Sequence, residues 1–161
     1  MIHKAGNDLK GLIDNILDLS KIEARQFDVH CEVIDLPTLL EDVRQLLQPQ
    51  FDQKQLAFRV EYADGLPRQI RSDPDKIRQV LKNFVSNALK FTEHGHVRLL
   101  ARPADSPYGC ELSVQDTGIG IPQDKQAKIF EAFQQADGST SRRYGGTGLG
   151  LTISRQLAHL L

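Results

Sequence analysis

Four glycines fall within residues 145–150, GGTGLG, and Thr152, Ile153, Ser154, Leu157 and Leu160 immediately downstream read as a helix. Glycine gives up more backbone freedom on folding than any other residue, so a cluster of four at a helix entrance needs a reason that ordinary loops lack. Backbone N–H groups at the start of a helix bind anions, and glycines let a phosphate come close to them. The familiar phosphate signatures do not fit. There is no GxxxxGK[ST], and no glycines spaced as GxGxxG follow a strand directly. The pattern points to a different nucleotide fold.

Upstream, helical and strand periods alternate. Ile2, Ala5, Leu9, Leu12, Ile16 and Leu19 alternate steps of three and four, which forms one helical seam that Ile13 and Leu17 widen. That stripe suits either a surface helix on its own domain or a helix in a bundle. Residues 27–36 read as extended, with Val29, Cys31 and Val33 as the apolar side of a first strand. Pro37 and Thr38 open a second helix with Leu39, Leu40, Val43, Leu46 and Leu47 on one face, and residues 56–62 alternate again as a strand. Asp64, Gly65 and Pro67 mark a turn. Further strand-like stretches lie at 97–101 and 111–115. A short helix is expected to end near Phe133, residues 134–144 form a polar linker, and helix resumes from Thr147.

The third helix carries strong start signals: Asp73 as N-cap, Pro74 in the first position and Asp75 where the helix dipole favours negative charge. It is expected to run to about Phe91, with Ile77, Val80, Leu81, Phe84, Ala88 and Phe91 on one side. Asn83, Asn87 and Lys90 fall at i, i+4 and i+7 and share a second stripe. Such a stripe is either a solvated polar face or a set of neutral oxygens for a cation beside a positive charge for phosphate. Leu112 and Val114 point one way from their strand, which runs into Asp116-Thr117-Gly118-Ile119-Gly120-Ile121-Pro122. A carboxylate at the mouth of a strand can accept a hydrogen bond from an exocyclic amine such as that of adenine, and the same residues also suit an ordinary turn.

Composition narrows the class of partner. The chain has 161 residues, 40% hydrophobic and 25% charged, enough for one buried core. A net charge of −1 and a pI of about 6.5 leave no excess of Lys and Arg for a phosphate backbone, so nucleic acid is not an expected partner. No run of 18 apolar residues and no signal-peptide order occurs, which places this stretch in the cytoplasm. Cys31 and Cys110 have no CxxC spacing and are expected as small core residues.

Taken in order, DPDKIRQVLKNFVSNALKFT, DTGIGIP, KIFEAFQQAD and RRYGGTGLGLTISRQLA resemble the boxes of the ATP-binding domain of sensor histidine kinases. DNILDLSKIEAR is similar to the end of the second dimerisation helix in the same family, and the stretch from Phe133 to Leu151 most resembles hybrid kinases. The resemblance implies an α+β chain with the Bergerat fold. That fold is a two-layer α/β sandwich with a mixed sheet, here preceded by a long N-terminal helix and lacking the final strands. Residues 1–26 would then be a partial dimerisation helix and residues 27–161 the ATP-binding catalytic domain.

The resemblance also implies roles for single residues. The position of Asn87 coordinates Mg²⁺ bridging the phosphates of ATP, with Asn83 nearby, and Lys90 contacts phosphate. Asp116 recognises the adenine amino group beside a loop shaped by Gly118 and Gly120. Gly146, Gly148 and Gly150 form the phosphate-side loop, with Thr147 and Leu149 between them. Phe130 and Phe133 match the aromatic pair anchoring a lid, and the same spacing suits core residues. Arg142 and Arg143 lie in that lid, either reaching the γ-phosphate or solvated.

The family's phosphoacceptor occurs as H[DE]xR on the first dimerisation helix. None of His3, His30, His94, His96 and His159 has that setting, so no catalytic histidine is assigned in the chain. The implied reaction is transfer of the γ-phosphoryl of MgATP to a histidine outside these residues, then to an Asp of a response-regulator receiver, in a homodimeric and membrane-anchored or soluble parent kinase. An ATPase of the same fold would carry a Glu base where Asn83 stands. A nucleotide-binding regulatory fragment without activity is a further alternative.

Overall fold

The computed structural model describes residues 2–23, 28–105, 109–131 and 148–161. Its elements in chain order are α1 (Ile2–Glu23), β1 (Glu32–Asp35), α2 (Leu36–Lys54), β2 (Ala57–Tyr62), β3 (Gln69–Ser72), α3 (Pro74–Phe91), β4 (His96–Pro103), β5 (Cys110–Asp116), two 3₁₀ turns (Gln123–Lys125 and Lys128–Phe130) and α4 (Gly150–Leu160). They group into two compact units. One is Met1–Val29 with Ile121–Leu160, the other His30–Gly120 with Leu161. Among the described residues no helix is long and apolar enough to cross a membrane.

The larger unit is built on a mixed three-stranded sheet in the order β2-β4-β5, with β2 parallel and β5 antiparallel to the central β4. Strand alternation sends Phe58, Val97, Leu99 and Ala101 to one face, where they are buried under α2 and α3. Leu36, Leu39, Leu40, Val43, Leu47 and Phe51 of α2 close the core from above, with Phe51 stacked on Phe58 at a centroid distance of 4.5 Å. The opposite face carries charge, including Arg98 with Gln115 and Arg102 with Glu111 across β4 and β5. β1 and β3 form a separate antiparallel ribbon. β3, with Ile70 as its one apolar residue, is too short to show a period in the sequence.

Both helices start on buried or bridged carboxylates. Asp35 accepts from the Thr38 N–H at 3.2 Å and the Thr38 hydroxyl at 2.8 Å, and its other oxygen pairs with Arg68. At α3, one Asp73 oxygen accepts from the N–H groups of Asp75 and Lys76. The other takes the Lys76 ammonium at 2.6 Å and the His30 N–H at 2.9 Å. α3 runs from Pro74 to Phe91 as its cap signals predict.

Several expectations are corrected. The buried side of β1 is Ile34, not Val33, which is 66% exposed, so Val29, Cys31 and Val33 do not form its inner face. Apolar residues stand at both parities there, and pairing with β3 selects the one that sets Ile34 opposite Ile70. Cys31 is consequently exposed, while Cys110 is half-buried and burial pushes its thiol pKa up. Leu46 on α2 is exposed because the buried stripe passes through Val43 and Leu47. On α3 the deepest residues are Ile77, Leu81, Val85 and Ala88, with Val80, Phe84 and Phe91 half-buried at the margin. As far as Glu131 the segment after β5 forms two 3₁₀ turns, while the expected end of a short helix near Phe133 lies outside the described residues, and α4 begins at Gly150 because Gly148, at φ 70°, takes a left-handed conformation incompatible with helix.

In the smaller unit α1 packs against α4, and Leu9, Ile13, Ile16 and Leu17 of α1 remain exposed.

The Asp73 and Lys76 pair is almost fully enclosed, with side chains 3% and 9% exposed. Burial raises the Asp73 pKa, but the Lys76 ammonium and the N–H groups of His30 and Lys76 outweigh it and hold the carboxyl at about 2, below its ordinary 3.8. A carboxyl depressed on folding stabilises the folded chain above its unfolded pKa and loses that contribution as pH falls through its folded one. Asp73→Ala is expected to cost about 3 kcal/mol in urea denaturation at pH 7, since it removes a cap and strips a buried ammonium of its carboxylate. The gap to wild type is expected to narrow between pH 4 and pH 2.

Candidate nucleotide-binding site

Leu112, Val114 and Asp116 alternate along β5 and share one face. Leu112 and Val114 pack against the core under α3, and Asp116, opposite Val97 in register, is the last residue on that side. The strand therefore carries an exposed carboxylate to the edge of the surface that α3 covers.

The loop after β5 is fitted to the end of α3. Asp116 Oδ1 accepts the Gly118 N–H at 2.8 Å, and the Ile119 N–H donates to the Phe91 carbonyl at 3.3 Å. A methyl group at Gly118 would strike the Phe91 carbonyl and lie 2.8 Å from Asp116 Oδ1, so the approach requires glycine. Gly120, at φ 69°, takes the left-handed turn beyond it. Thr117, to which the motifs assign no role, accepts the His96 N–H at 3.0 Å and lies 3.3 Å from the His94 carbonyl. It thereby closes the turn between α3 and β4. Its position between two motif residues is the one signal of this in the sequence.

Asn83, Asn87 and Lys90 lie on α3 away from its deepest side chains, and all three are half-buried. A solvated polar face would be more exposed. The Lys90 ammonium sits 4.8 Å from the Phe91 ring centroid, and burial pulls its pKa below the usual lysine value. An ammonium short of water gains more from an anionic ligand than one fully hydrated. The larger unit thus brings together Asn83, Asn87 and Lys90 on one helix with Asp116, Gly118 and Gly120 on the strand and loop docked to that helix's last turn.

The remaining expected residues belong to the smaller unit. Gly148 adopts φ 70°, Leu149 is fully buried, and its carbonyl accepts the Ile153 N–H at 2.9 Å, the first turn of α4, which begins at Gly150. The Thr152 hydroxyl donates to the Phe130 carbonyl at 3.0 Å, which ties the second 3₁₀ turn to α4. Phe130 is half-buried. Phe133, Arg142, Arg143, Gly146 and Thr147 lie outside the described residues.

Helices on one face of a mixed sheet, with amides on the covering helix and a carboxylate at a strand end, make the larger unit a two-layer α/β sandwich built around one polar margin. The chain belongs to the histidine kinase-, DNA gyrase B- and HSP90-like ATPase family, whose model matches residues 72–161. It is 40% identical over 164 residues to the sensory/regulatory protein RpfC of Xanthomonas campestris pv. campestris, covering 99% of this chain and 23% of RpfC. Hybrid signal transduction histidine kinase K of Dictyostelium discoideum is 36% identical over 170 residues, covering 99% of this chain and 14% of that protein. The chain thus spans less than a quarter of the length of these relatives. Among solved structures, full-length ShkA in complex with AMPPNP matches with a TM-score of 0.85 at 35% identity, over 97% of this chain and 32% of ShkA.

Gly118→Ala is expected to lower stability by about 1 to 3 kcal/mol in urea denaturation, the usual cost of forcing a methyl group into a filled contact. The Ile119 amide is expected to exchange with deuterium faster in that variant as its bond to Phe91 is lost.

Proposed function

We propose that this chain is the ATP-binding catalytic part of a two-component sensor histidine kinase of the hybrid type, which transfers the γ-phosphoryl of MgATP to a histidine outside these residues. The observation that carries the reading is the docked pair within one unit: a half-buried Asn83, Asn87 and Lys90 stripe on α3, and Asp116 at the end of β5, whose following loop is seated on the Phe91 carbonyl of that helix. The family membership and the AMPPNP-bound ShkA support the choice of ATP as ligand.

The residues present fit the nucleotide and its metal. Asp116, an exposed carboxylate beside a glycine that admits close approach, accepts the adenine amine. Asn87 offers the neutral amide oxygen that a hard divalent cation takes, with Asn83 one turn away, and Lys90 balances phosphate charge. Gly146, Thr147, Gly148, Leu149 and Gly150 are assigned to the phosphates through the resemblance, since glycines ahead of a helix let backbone N–H groups approach an anion. Phe130 and Arg143 are assigned to the lid over the nucleotide through the resemblance alone. Mg²⁺, when bound, screens the charge that repels an incoming nucleophile and develops on the departing diphosphate. The chain's residues orient the nucleotide and exclude water. The imidazole nitrogen of the acceptor forms a bond to phosphorus as the bond to the bridging oxygen of ADP breaks.

In this reading residues 1–26 are the end of a dimerisation helix and 27–161 the catalytic domain. The exposed Leu9, Ile13, Ile16 and Leu17 stripe supports a helix that packs with others in a homodimeric parent. The phosphoacceptor helices of that parent and a receiver domain bearing the final Asp are its partners.

Asp116→Asn is expected to weaken ATP binding by roughly 1.5 to 3 kcal/mol, because a hydrogen bond to a charged acceptor is lost. Calorimetric titration giving an unchanged affinity would remove the adenine assignment. With a phosphoacceptor helix pair supplied, radiolabelled ATP is expected to leave an acid-labile, base-stable label on histidine. Label recovered only as free phosphate would instead identify an ATPase.

A further inference from the structure

Lys54 ends α2, where a lysine ordinarily serves the C-terminal dipole of its own helix. Its ammonium instead reaches across to the end of α3. It donates to the Leu89 carbonyl at 2.6 Å, the Thr92 carbonyl at 2.7 Å and the Lys90 carbonyl at 3.3 Å. A helix leaves its last carbonyls without intrahelical partners, and an ammonium has three protons to give. One side chain thus serves three carbonyls at a single helix end.

The carbonyl that this grip omits is the one the site uses. Phe91 lies between Lys90 and Thr92, and its carbonyl accepts the Ile119 N–H. Thr92 is fully buried and the bond from Lys54 to its carbonyl is part-buried, whereas those to Leu89 and Lys90 are exposed, so the Thr92 carbonyl is the one that water replaces least readily. A frayed last turn would move Lys90 and unseat the backbone beyond Asp116.

We propose that Lys54 is a positioning residue for the nucleotide site, holding the Leu89, Lys90 and Thr92 carbonyls so that Lys90 and the Gly118 and Ile119 backbone stand at fixed places beside the ligand. The inference rests on the nucleotide reading of this site. Arg44 supplies the contrast. On the same helix, its guanidinium bonds Glu41 and Gln48, both within α2.

Calorimetric titration of AMPPNP with Mg²⁺ into wild type, Lys54→Met, Lys54→Arg and Arg44→Met separates positioning from loss of fold. Stoichiometry counts folded molecules, and the dissociation constant reports the site within them. Lys54→Met is expected to bind roughly tenfold more weakly at unchanged stoichiometry. Lys54→Arg, which keeps charge and donors, is expected between it and wild type, and Arg44→Met at the wild-type constant. Faster exchange of the Ile119 amide in Lys54→Met is expected alongside. Wild-type constants in both Lys54 variants, a loss confined to stoichiometry, or equal weakening by Arg44→Met would each overturn the positioning role. A wild-type chain that takes up no AMPPNP would overturn the nucleotide reading itself.

Discussion

The hydrogen bond from the Ile119 N–H to the Phe91 carbonyl is the joint on which the larger unit's polar margin depends. Helix α3 has to bury Ile77, Leu81, Val85 and Ala88 against the sheet while still offering Asn83, Asn87 and Lys90 elsewhere on its surface. A helix can do both only if its rotation and its endpoint are determined. Core packing settles the rotation. The endpoint is settled by the partners of the terminal carbonyls, which come from α2 on one side and from the loop after β5 on the other. The strand end and the helix end therefore cannot move independently.

The two ends of α3 solve opposite electrostatic problems. At the start, the desolvation of a buried carboxylate is offset by an ammonium and by N–H groups of α3 and of His30. At the other end, burial lowers the Lys90 pKa, and its ammonium lies over the Phe91 ring. The first arrangement is a buried ion pair that caps a helix, whereas the second sets a half-buried ammonium against an aromatic ring at the margin of the sheet.

Helix α3 was legible because its start is spelled in local chemistry, Asp73 then Pro74, while its apolar stripe was read one step off, with Val85 buried and Val80, Phe84 and Phe91 left at the margin. The shared direction of Leu112 and Val114 was equally plain. The first strand was not, because Val33 and Ile34 are both β-branched and only the pairing with β3 chooses between them. Lys54 carried no signal either, since a lysine in a last helical turn is what that helix would ask for on its own behalf. Contacts made between elements distant in the chain, such as Lys54 to Leu89, leave no periodicity to detect. Ligand roles assigned through the resemblance rest on motif matching, whereas the close approach at Gly118 rests on geometry.

The parallel pairing of β2 with β4 has a kinetic corollary. Ala57 meets His96, so β2 emerges from the ribosome well before its ladder partner, and the intervening chain must first form β3 and α3. Closing so long a loop is slow compared with winding a helix, and until it closes the Phe51 and Phe58 rings can collapse together without a sheet to hold them. Synthesis past His96 and β5 is accordingly the point at which this half of the molecule can first condense, and a pause placed earlier would prolong the lifetime of an unpaired, aggregation-prone strand edge.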